Sequence, residues 1–292
     1  MRTPAEHWFP VRHYNLPLTL SCGQSFRWRN TPDGWEGVVA GKWVRLRPLR
    51  DGLQAFCAEP VSDWQWLADY LQLHVRLEDI LQTFPAHDPH LQKAVQACFG
   101  LRLLRQEPWE CLASFILSST KQIPHIQQII ECLCLRFGAP VCVPPGHAPV
   151  YAFPEAATLA RAGEEALRGC RMGFRARALQ EAACRVAEGV LNLESLRHLD
   201  EAAARRQLMS LRGVGPKIAN CVLLFAYGFP RAFPVDVWVR RALREAYFPR
   251  RRPTPRRLEA FIQSHFGPHA GYAQQYLFHY WRTGRAARRK IQ

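Results

Sequence analysis

Hydrophobic and polar positions follow two different periods along this chain of 292 residues. Up to about residue 60, short segments rich in aromatic and β-branched residues alternate with turn residues, a pattern typical of β-strands. The predicted strands lie in LPLTLS, QSFRWR, GWEGVVAG, KWVRLRP and LQAFCAEP. Together they predict an antiparallel sheet at the amino-terminal end.

Helical spacing replaces this pattern from Ser62 onward, where Trp64, Leu67 and Leu71 recur on one face. A helix is predicted to begin at Pro108, and the next one to end near Gly138. Later helices are predicted at about residues 154–188, 200–210, 217–228, 236–246, 254–265 and 268–282. The predicted fold class is α+β, with an N-terminal antiparallel β-sheet domain at 1–97 and a mostly α-helical body at 98–292.

The charge of the chain narrows the class of partner. Lys and Arg outnumber Asp and Glu by 39 to 24, which gives a net charge of +15 and a pI near 9.8. This balance favours a polyanion such as nucleic acid. A membrane surface also fits the charge, but runs such as CVLLFAYGF are too short to cross a bilayer of roughly 30 Å.

The amino terminus lacks the apolar core of a signal peptide, so we expect an intracellular protein. If it acts on DNA, it belongs in the nucleus of a eukaryote or in the cytoplasm and nucleoid of a bacterium. The ten cysteines form no CxxC pair, which argues against a zinc site or an iron–sulfur cluster. We therefore expect no metal. We also expect no organic cofactor, and a monomer.

The segment LRGVG predicts a hairpin between two helices, within a helix-hairpin-helix at about 203–228. Gly213 and Gly215, on either side of Val214, permit backbone conformations and close approaches that a Cβ would block. The hairpin amides and the amino end of the second helix can then face a DNA phosphate. An ordinary helix–helix connection is the alternative, and a GxG motif alone does not exclude it.

Lys217 and Asp236 suggest a chemistry beside this hairpin. Breaking a base–sugar bond creates positive charge on the sugar, which a carboxylate stabilises, while a deprotonated lysine attacks C1′ and forms a Schiff base. Taken singly, Lys217 also fits a phosphate-contacting or solvated lysine, and Asp236 fits a helix N-cap. Together, behind this hairpin, they resemble the helix-hairpin-helix DNA glycosylase superfamily.

Further motifs are similar to those of the 8-oxoguanine DNA glycosylase family. They are SCGQSFRWR (21–29), GLRLLRQEPWECLASFILSS (100–119), GFRARAL (173–179) and GPHAGYAQQYLF (267–278). The resemblance extends from about residue 15 to about residue 280, with the order of motifs kept. It implies a bifunctional DNA glycosylase/AP lyase that acts on duplex DNA containing an oxidised purine, with Lys217 and Asp236 as catalytic residues.

The resemblance also implies how the oxidised base is read. Gly23 corresponds to a glycine whose carbonyl accepts the N7 hydrogen that 8-oxoguanine has and guanine lacks. The extruded base is expected to lie between Cys221 and Phe278, with Phe225 in the same pocket and Gln274 at the Watson–Crick edge. From the residues alone, Cys221, Phe225 and Phe278 also fit ordinary core packing.

The match to the family is partial for the residues expected to contact the opposite DNA strand. Phe174 and Arg175 fit the family's aromatic-plus-arginine pair, which fills the gap left by the base and contacts the orphaned cytosine. The family's three asparagines and a following arginine are replaced by Thr120, Lys121, Gln122 and His125. Since threonine lacks the two-sided amide pattern of asparagine, Thr120 and His125 put the opposite-base preference in doubt.

Two other functions remain open at this stage. An alkylated-base glycosylase on the same scaffold is one, although such enzymes generally lack the lysine and use an open aromatic pocket. A non-catalytic DNA-binding protein that keeps the hairpin is the other. Lys217 and Gln274 count against the first, and the joint presence of the lysine, the aspartate and the pocket residues counts against the second.

Overall fold

The amino-terminal part of the chain folds as an antiparallel sheet. A computed structural model describes residues 4–119, 121–250 and 252–289, with side chains described up to residue 284. The strands are β1 (Ala5–Pro10), β2 (Arg29–Thr31), β3 (Gly34–Val39), β4 (Lys42–Leu49) and β5 (Gly52–Cys57). Their order is β1-β5-β4-β3-β2, and every neighbouring pair is antiparallel. The predicted fold class is confirmed.

Two of the predicted strands are wrong. LPLTLS is a helix, α1 (Leu16–Ser21), because Asn15 caps it by accepting from the Leu18 amide at 3.1 Å and because Pro17 stands at a position where a helix tolerates proline. QSFRWR is a loop up to Arg29, where β2 begins. Strand β1, in turn, was not predicted, and it pairs along its whole length with β5.

Helices make up most of the remaining chain, at the predicted places. They are α2 (Gln65–Leu71), α3 (Leu77–Leu81), α4 (Pro89–Ala97), α5 (Pro108–Leu117), α6 (Ile123–Phe137), α7 (Ala156–Arg168), α8 (Arg175–Ala187), α9 (Glu201–Met209), α10 (Pro216–Val222), α11 (Val237–Tyr247), α12 (Pro255–His265) and α13 (Ala270–Arg289). Two short strands, β6 (Pro140–Val141) and β7 (Val150–Tyr151), pair in the connector between α6 and α7. A π-helical turn, Leu223–Tyr227, continues α10, so the single helix predicted there changes its winding midway.

Buried side chains form two hydrophobic cores. The smaller core lies between the sheet, α1 and α2, and the larger one runs through the helical body. Leu91 and Ala94 of α4 belong to the larger core, although they precede the predicted boundary. The division at residues 97 and 98 stays a prediction. Within the described residues, no helix is both long and apolar enough to cross a membrane.

Candidate active site

The hairpin between α9 and α10 uses its two glycines differently. Gly213 has a φ of +76°, and a Cβ there would also lie 3.2 Å from the Cβ of Ala178, so this position requires glycine. Gly215 caps α10 in extended backbone, and a Cβ there would meet no atom within 4 Å. The bare backbone at Gly215 therefore faces open space, as a close approach by a phosphate requires. Val214 between them is buried in the larger core.

Lys217 points from the first turn of α10 toward the carboxyl end of α5. Its ammonium donates to Ser118 Oγ at 3.0 Å and lies 5.1 Å from the centre of the Phe115 ring. Two elements therefore fix the amine, one through a hydrogen bond and the other through a cation–π contact. Sequence motifs included Ser118 and Phe115 but gave no sign of this contact, which joins residues 99 positions apart.

Asp236 caps α11, as its sequence position suggested. Its Oδ1 accepts from the Val239 amide at 2.8 Å. Burial raises the pKa of the Asp236 carboxyl above its ordinary value, while the Val239 amide and the positive charge of Lys217 act in the opposite direction. The carboxyl group is thus within electrostatic range of the lysine, in a partly dehydrated position.

Two of the predicted pocket residues lie near the lysine or near its aromatic neighbour Phe115. Cys221 lies one turn after Lys217. Burial raises the pKa of its thiol to about 11, and this effect outweighs the opposing effect of the Lys217 charge. Phe225 stacks on Phe115, with ring centres 5.6 Å apart and planes inclined by 18°. These contacts are compatible both with core packing and with a pocket wall, so the roles of Cys221 and Phe225 stay predictions.

Gln274 and Phe278 stand one turn apart on α13. Gln274 is only 3% exposed, and its Oε1 has no hydrogen-bond partner among the described residues. Buried side-chain acceptors without partners are rare in proteins. A bound ligand that donates a hydrogen bond to Gln274 Oε1 would explain this one. The Phe278 ring is half-buried.

Gly23 lies against Phe278. Its φ is +84°, and a Cβ there would come within 3.5 Å of Phe278 Cε1 and 2.7 Å of Ile123 Cδ1. The next residue, Gln24, is buried and anchors this segment: its Nε2 donates to the Arg102 carbonyl at 2.8 Å and its Oε1 accepts from the Leu104 amide at 2.8 Å. The glycine is therefore held in place by its neighbour's side chain.

Phe174 and Arg175 begin α8 in opposite environments. The Phe174 ring is 69% exposed, which is unusual for a large apolar side chain and fits a residue that inserts into DNA. Arg175 is buried, donates to the Ser119 carbonyl, and has its guanidinium carbon 4.5 Å from the centre of the Phe174 ring. His125 is exposed in the first turn of α6. Thr120 lies outside the described residues.

Arg282 is a neighbour of the site that the motifs did not indicate. It lies one turn after Phe278, and its guanidinium carbon is 5.3 Å from the centre of that ring. Its charge also lowers the pKa of Asp236, against the larger effect of burial. The spacing of Phe278 and Arg282 on a predicted helix was the one available signal. Among the described residues, there is no group of three or more His, Cys, Asp or Glu side chains that could hold a metal ion.

Comparisons with known proteins agree with this geometry. The hairpin, the lysine and the aspartate lie in residues 113–268, which match the family model of HhH-GPD superfamily base excision DNA repair proteins. Residues 8–112 match the model of the 8-oxoguanine DNA glycosylase N-terminal domain. The chain therefore belongs to the 8-oxoguanine DNA glycosylase family.

Relatives in this family resemble the chain over nearly its whole length. The N-glycosylase/DNA lyase OGG1 of Arabidopsis thaliana is 32% identical over 95% of this chain and 81% of its own. The structure of MBOgg1 with a low affinity DNA ligand is 34% identical, with a TM-score of 0.89 over 96% of each chain. The Clostridium acetobutylicum 8-oxoguanine glycosylase/lyase, in complex with dsDNA containing cytosine opposite 8-oxoG, is 29% identical, with a TM-score of 0.87 over 96% of this chain and 98% of its own.

Proposed function

We propose that this chain removes 8-oxoguanine from duplex DNA and cleaves the strand at the resulting abasic site, with Lys217 and Asp236 as the reacting side chains. The chain is a bifunctional DNA N-glycosylase and AP lyase of its family. The assignment of roles to residues is the proposal. The observation that carries it is the position of the Lys217 amine, which is held by Ser118 behind the hairpin and within electrostatic range of Asp236.

The chemistry follows from these two groups. As the bond between C1′ and the base breaks, the base takes the bonding electrons and the sugar becomes positively charged, so the Asp236 carboxylate stabilises the transition state. The deprotonated Lys217 amine forms a bond to C1′, and opening of the sugar ring gives a Schiff base. Loss of a proton from C2′ then expels the 3′ phosphate by β-elimination. None of these steps requires a metal or an organic cofactor.

Base recognition is assigned to the pocket residues. The Gly23 carbonyl accepts the N7 hydrogen of 8-oxoguanine, whereas guanine would bring an acceptor against an acceptor. Cys221 and Phe278 contact the two faces of the extruded base, with Phe225 behind them. The free Gln274 Oε1 accepts from a donor on the Watson–Crick edge.

DNA contacts are assigned to the surface around this pocket. Gly213, Val214 and Gly215 present backbone to a phosphate, and Phe174 occupies the space left by the base. Arg175 contacts the orphaned cytosine, for which its side chain must turn away from the Ser119 carbonyl. Thr120 and His125 are assigned to the same side of the DNA. The chain acts on its duplex as a monomer, inside the cell.

The two alternatives make different demands on the site. An alkylated-base glycosylase has no use for a fixed lysine or for a buried amide acceptor, and this chain has both. A non-catalytic DNA-binding protein needs the hairpin but not the carboxylate near the lysine. The positions of Lys217, Asp236 and Gln274 therefore favour the oxidised-purine lyase.

A panel of single-lesion duplexes tests this function. Each duplex carries 8-oxoguanine, another oxidised purine or 3-methyladenine opposite one of the four bases, and single-turnover cleavage is measured with and without hot alkali. We expect 8-oxoguanine to be excised, and part of the product to be cleaved without alkali because of the lyase step. Excision of 3-methyladenine without 8-oxoguanine, or no excision of any lesion, would overturn the proposal.

A further inference from the structure

Arg282 contacts two separate parts of the recognition site. Its guanidinium carbon lies 5.3 Å from the centre of the Phe278 ring, and its Nη2 donates to the Ser21 carbonyl at 3.2 Å. The same Nη2 lies 3.4 Å from His279 Nδ1. Ser21 ends α1, two residues before Gly23, while Phe278 belongs to the last helix.

The segment that carries Gly23 has a second link to α13. Gln275, which is buried, donates from Nε2 to the Cys22 carbonyl at 3.2 Å. Arg282 and Gln275 therefore hold two consecutive carbonyls immediately before Gly23. Arg282 also contacts the Phe278 ring.

The guanidinium group is well suited to this double contact. It is planar, so one face stacks on an aromatic ring while its N–H groups donate in the plane to a carbonyl. Lysine carries the same charge but has neither the flat face nor the fork of donors. The position of Phe278 relative to Gly23 must also be fixed to within about half an ångström if both are to contact one base.

We propose that Arg282 is a positioning residue for recognition of the oxidised base, which fixes the Phe278 ring relative to the Ser21–Gly23 segment. The purine can then contact Phe278 with its face and the Gly23 carbonyl with its N7 edge at the same time. Arg282 acts through these two groups and does not itself touch the base. The inference rests on the proposed function, because it assumes that Gly23 and Phe278 contact the base.

Comparison of two substrates tests this role. Excision of 8-oxoguanine requires the base to be read, whereas cleavage of a duplex with a preformed abasic site requires Lys217 but no base. We expect Arg282→Met to slow single-turnover excision from an 8-oxoguanine duplex by about tenfold, in line with the loss of one cation–π contact and one hydrogen bond. Cleavage of the abasic duplex should change by less than about twofold, because the variant leaves Lys217 and its contacts with Ser118 and Phe115 in place.

Two further variants make the result specific. Arg282→Lys keeps the charge near Asp236 and should recover only part of the excision rate, since the stacked geometry is lost. Arg76→Met removes the same charge from an exposed position beside Asp79, and should leave both rates unchanged. An equal fall in both reactions for Arg282→Met, no fall in either, or full recovery by lysine would overturn the proposal.

Failure of this inference is distinguishable from failure of the proposed function. A wild-type chain that does not excise 8-oxoguanine would reject the function itself. A wild-type chain that excises it, with an unchanged ratio of the two reactions in Arg282→Met, would reject only the role of Arg282.

Discussion

At Gly23 the backbone takes a left-handed conformation next to the Phe278 ring and the Ile123 side chain. A methyl group at this position meets both an unfavourable φ and a close contact with Ile123. The carbonyl proposed to accept the N7 hydrogen would then move relative to the pocket. The backbone conformation and the contact with Ile123 therefore both favour glycine at this position.

Gly23→Ala should reduce the rate of 8-oxoguanine excision at least about tenfold, because the acceptor shifts away from the base. Gly41 provides a matched control, since its φ is +73° and a Cβ there would meet no atom within 4 Å. Gly41→Ala should lower the free energy of unfolding by about 1 kcal/mol and leave excision unchanged. Single-turnover excision and urea unfolding measure the two effects, and equal loss of excision in both variants would reject the role of Gly23.

The ionisation of Asp236 predicts a pH dependence. Burial raises the pKa of this carboxyl, so the carboxylate form is lost as the pH falls through a value above the ordinary value of about 3.9 for aspartate. In the proposed mechanism excision needs the carboxylate, so kcat/KM should fall on acidification with an apparent pKa above that value. Asp236→Asn should be slow at every pH and lack this limb. A wild-type rate that stays constant down to about pH 4 would contradict the assignment.

The sequence predicts Lys217 and Asp236 as the reacting residues, but it does not predict the side chains that contact them. Lys217 and Asp236 could be predicted because both sit at helix starts with recognisable local motifs. Ser118, Phe115 and Arg282 could not, because their contacts depend on side chains brought together by tertiary packing. The link from Arg282 to Ser21, for example, spans 261 positions and leaves no spacing signal.

At the scale of single elements, the start of α8 predicts a residue that acts on DNA without stabilising the fold. Phe174 projects into solvent at the N-cap of this helix, while the neighbouring Arg175 is buried. An exposed ring contributes little to the stability of the fold. We therefore expect the Phe174 ring to act in the complex with DNA, where it is proposed to fill the gap left by the base.

Phe174→Ala should therefore leave thermal unfolding nearly unchanged but slow excision by about tenfold, because the extruded state loses the group that stabilises it. Phe99→Ala is the control, since Phe99 is also an exposed phenylalanine and lies outside the proposed site. Excision at the wild-type rate by Phe174→Ala, or an equal loss in both variants, would show that Phe174 is not the inserted residue.

Elements with strong local signals were the easiest to predict. Helices α9 and α11 are capped by Asp200 and Asp236, whose side chains accept from backbone amides as expected of N-caps. The leucines and threonine of LPLTLS suit a strand, but the segment forms a helix because Asn15 caps it. Strand β1 was missed because most of its residues are not buried, so its burial pattern carries little alternation.

For the whole molecule, the net charge of +15 predicts how DNA affinity depends on salt. Neutralising about five phosphates gives a slope of roughly −4.5 in a plot of log K against log salt concentration. The slope should be nearly the same for an undamaged duplex and for one that contains the lesion, since base recognition adds few phosphate contacts. Fluorescence anisotropy at several salt concentrations measures both slopes, and a flat profile would contradict a DNA surface built from the basic residues.

The central claim is that one lysine does the chemistry, and mass spectrometry of the trapped complex tests it most directly. Borohydride reduces the Schiff base to a stable amine, so the peptide that carries the sugar remnant identifies the nucleophile. The possible sites are few, since the lysines are Lys42, Lys93, Lys121, Lys217 and Lys290.

Lys121 is the informative control, because it is exposed and follows α5 close to Ser118, to whose carbonyl its amide donates at 3.4 Å. We predict that the remnant is found on Lys217, that Lys217→Gln forms no trapped complex while still binding lesion DNA, and that Lys121→Gln is trapped like the wild type. A remnant on Lys121 or on the amino terminus, or normal trapping of Lys217→Gln, would contradict the account.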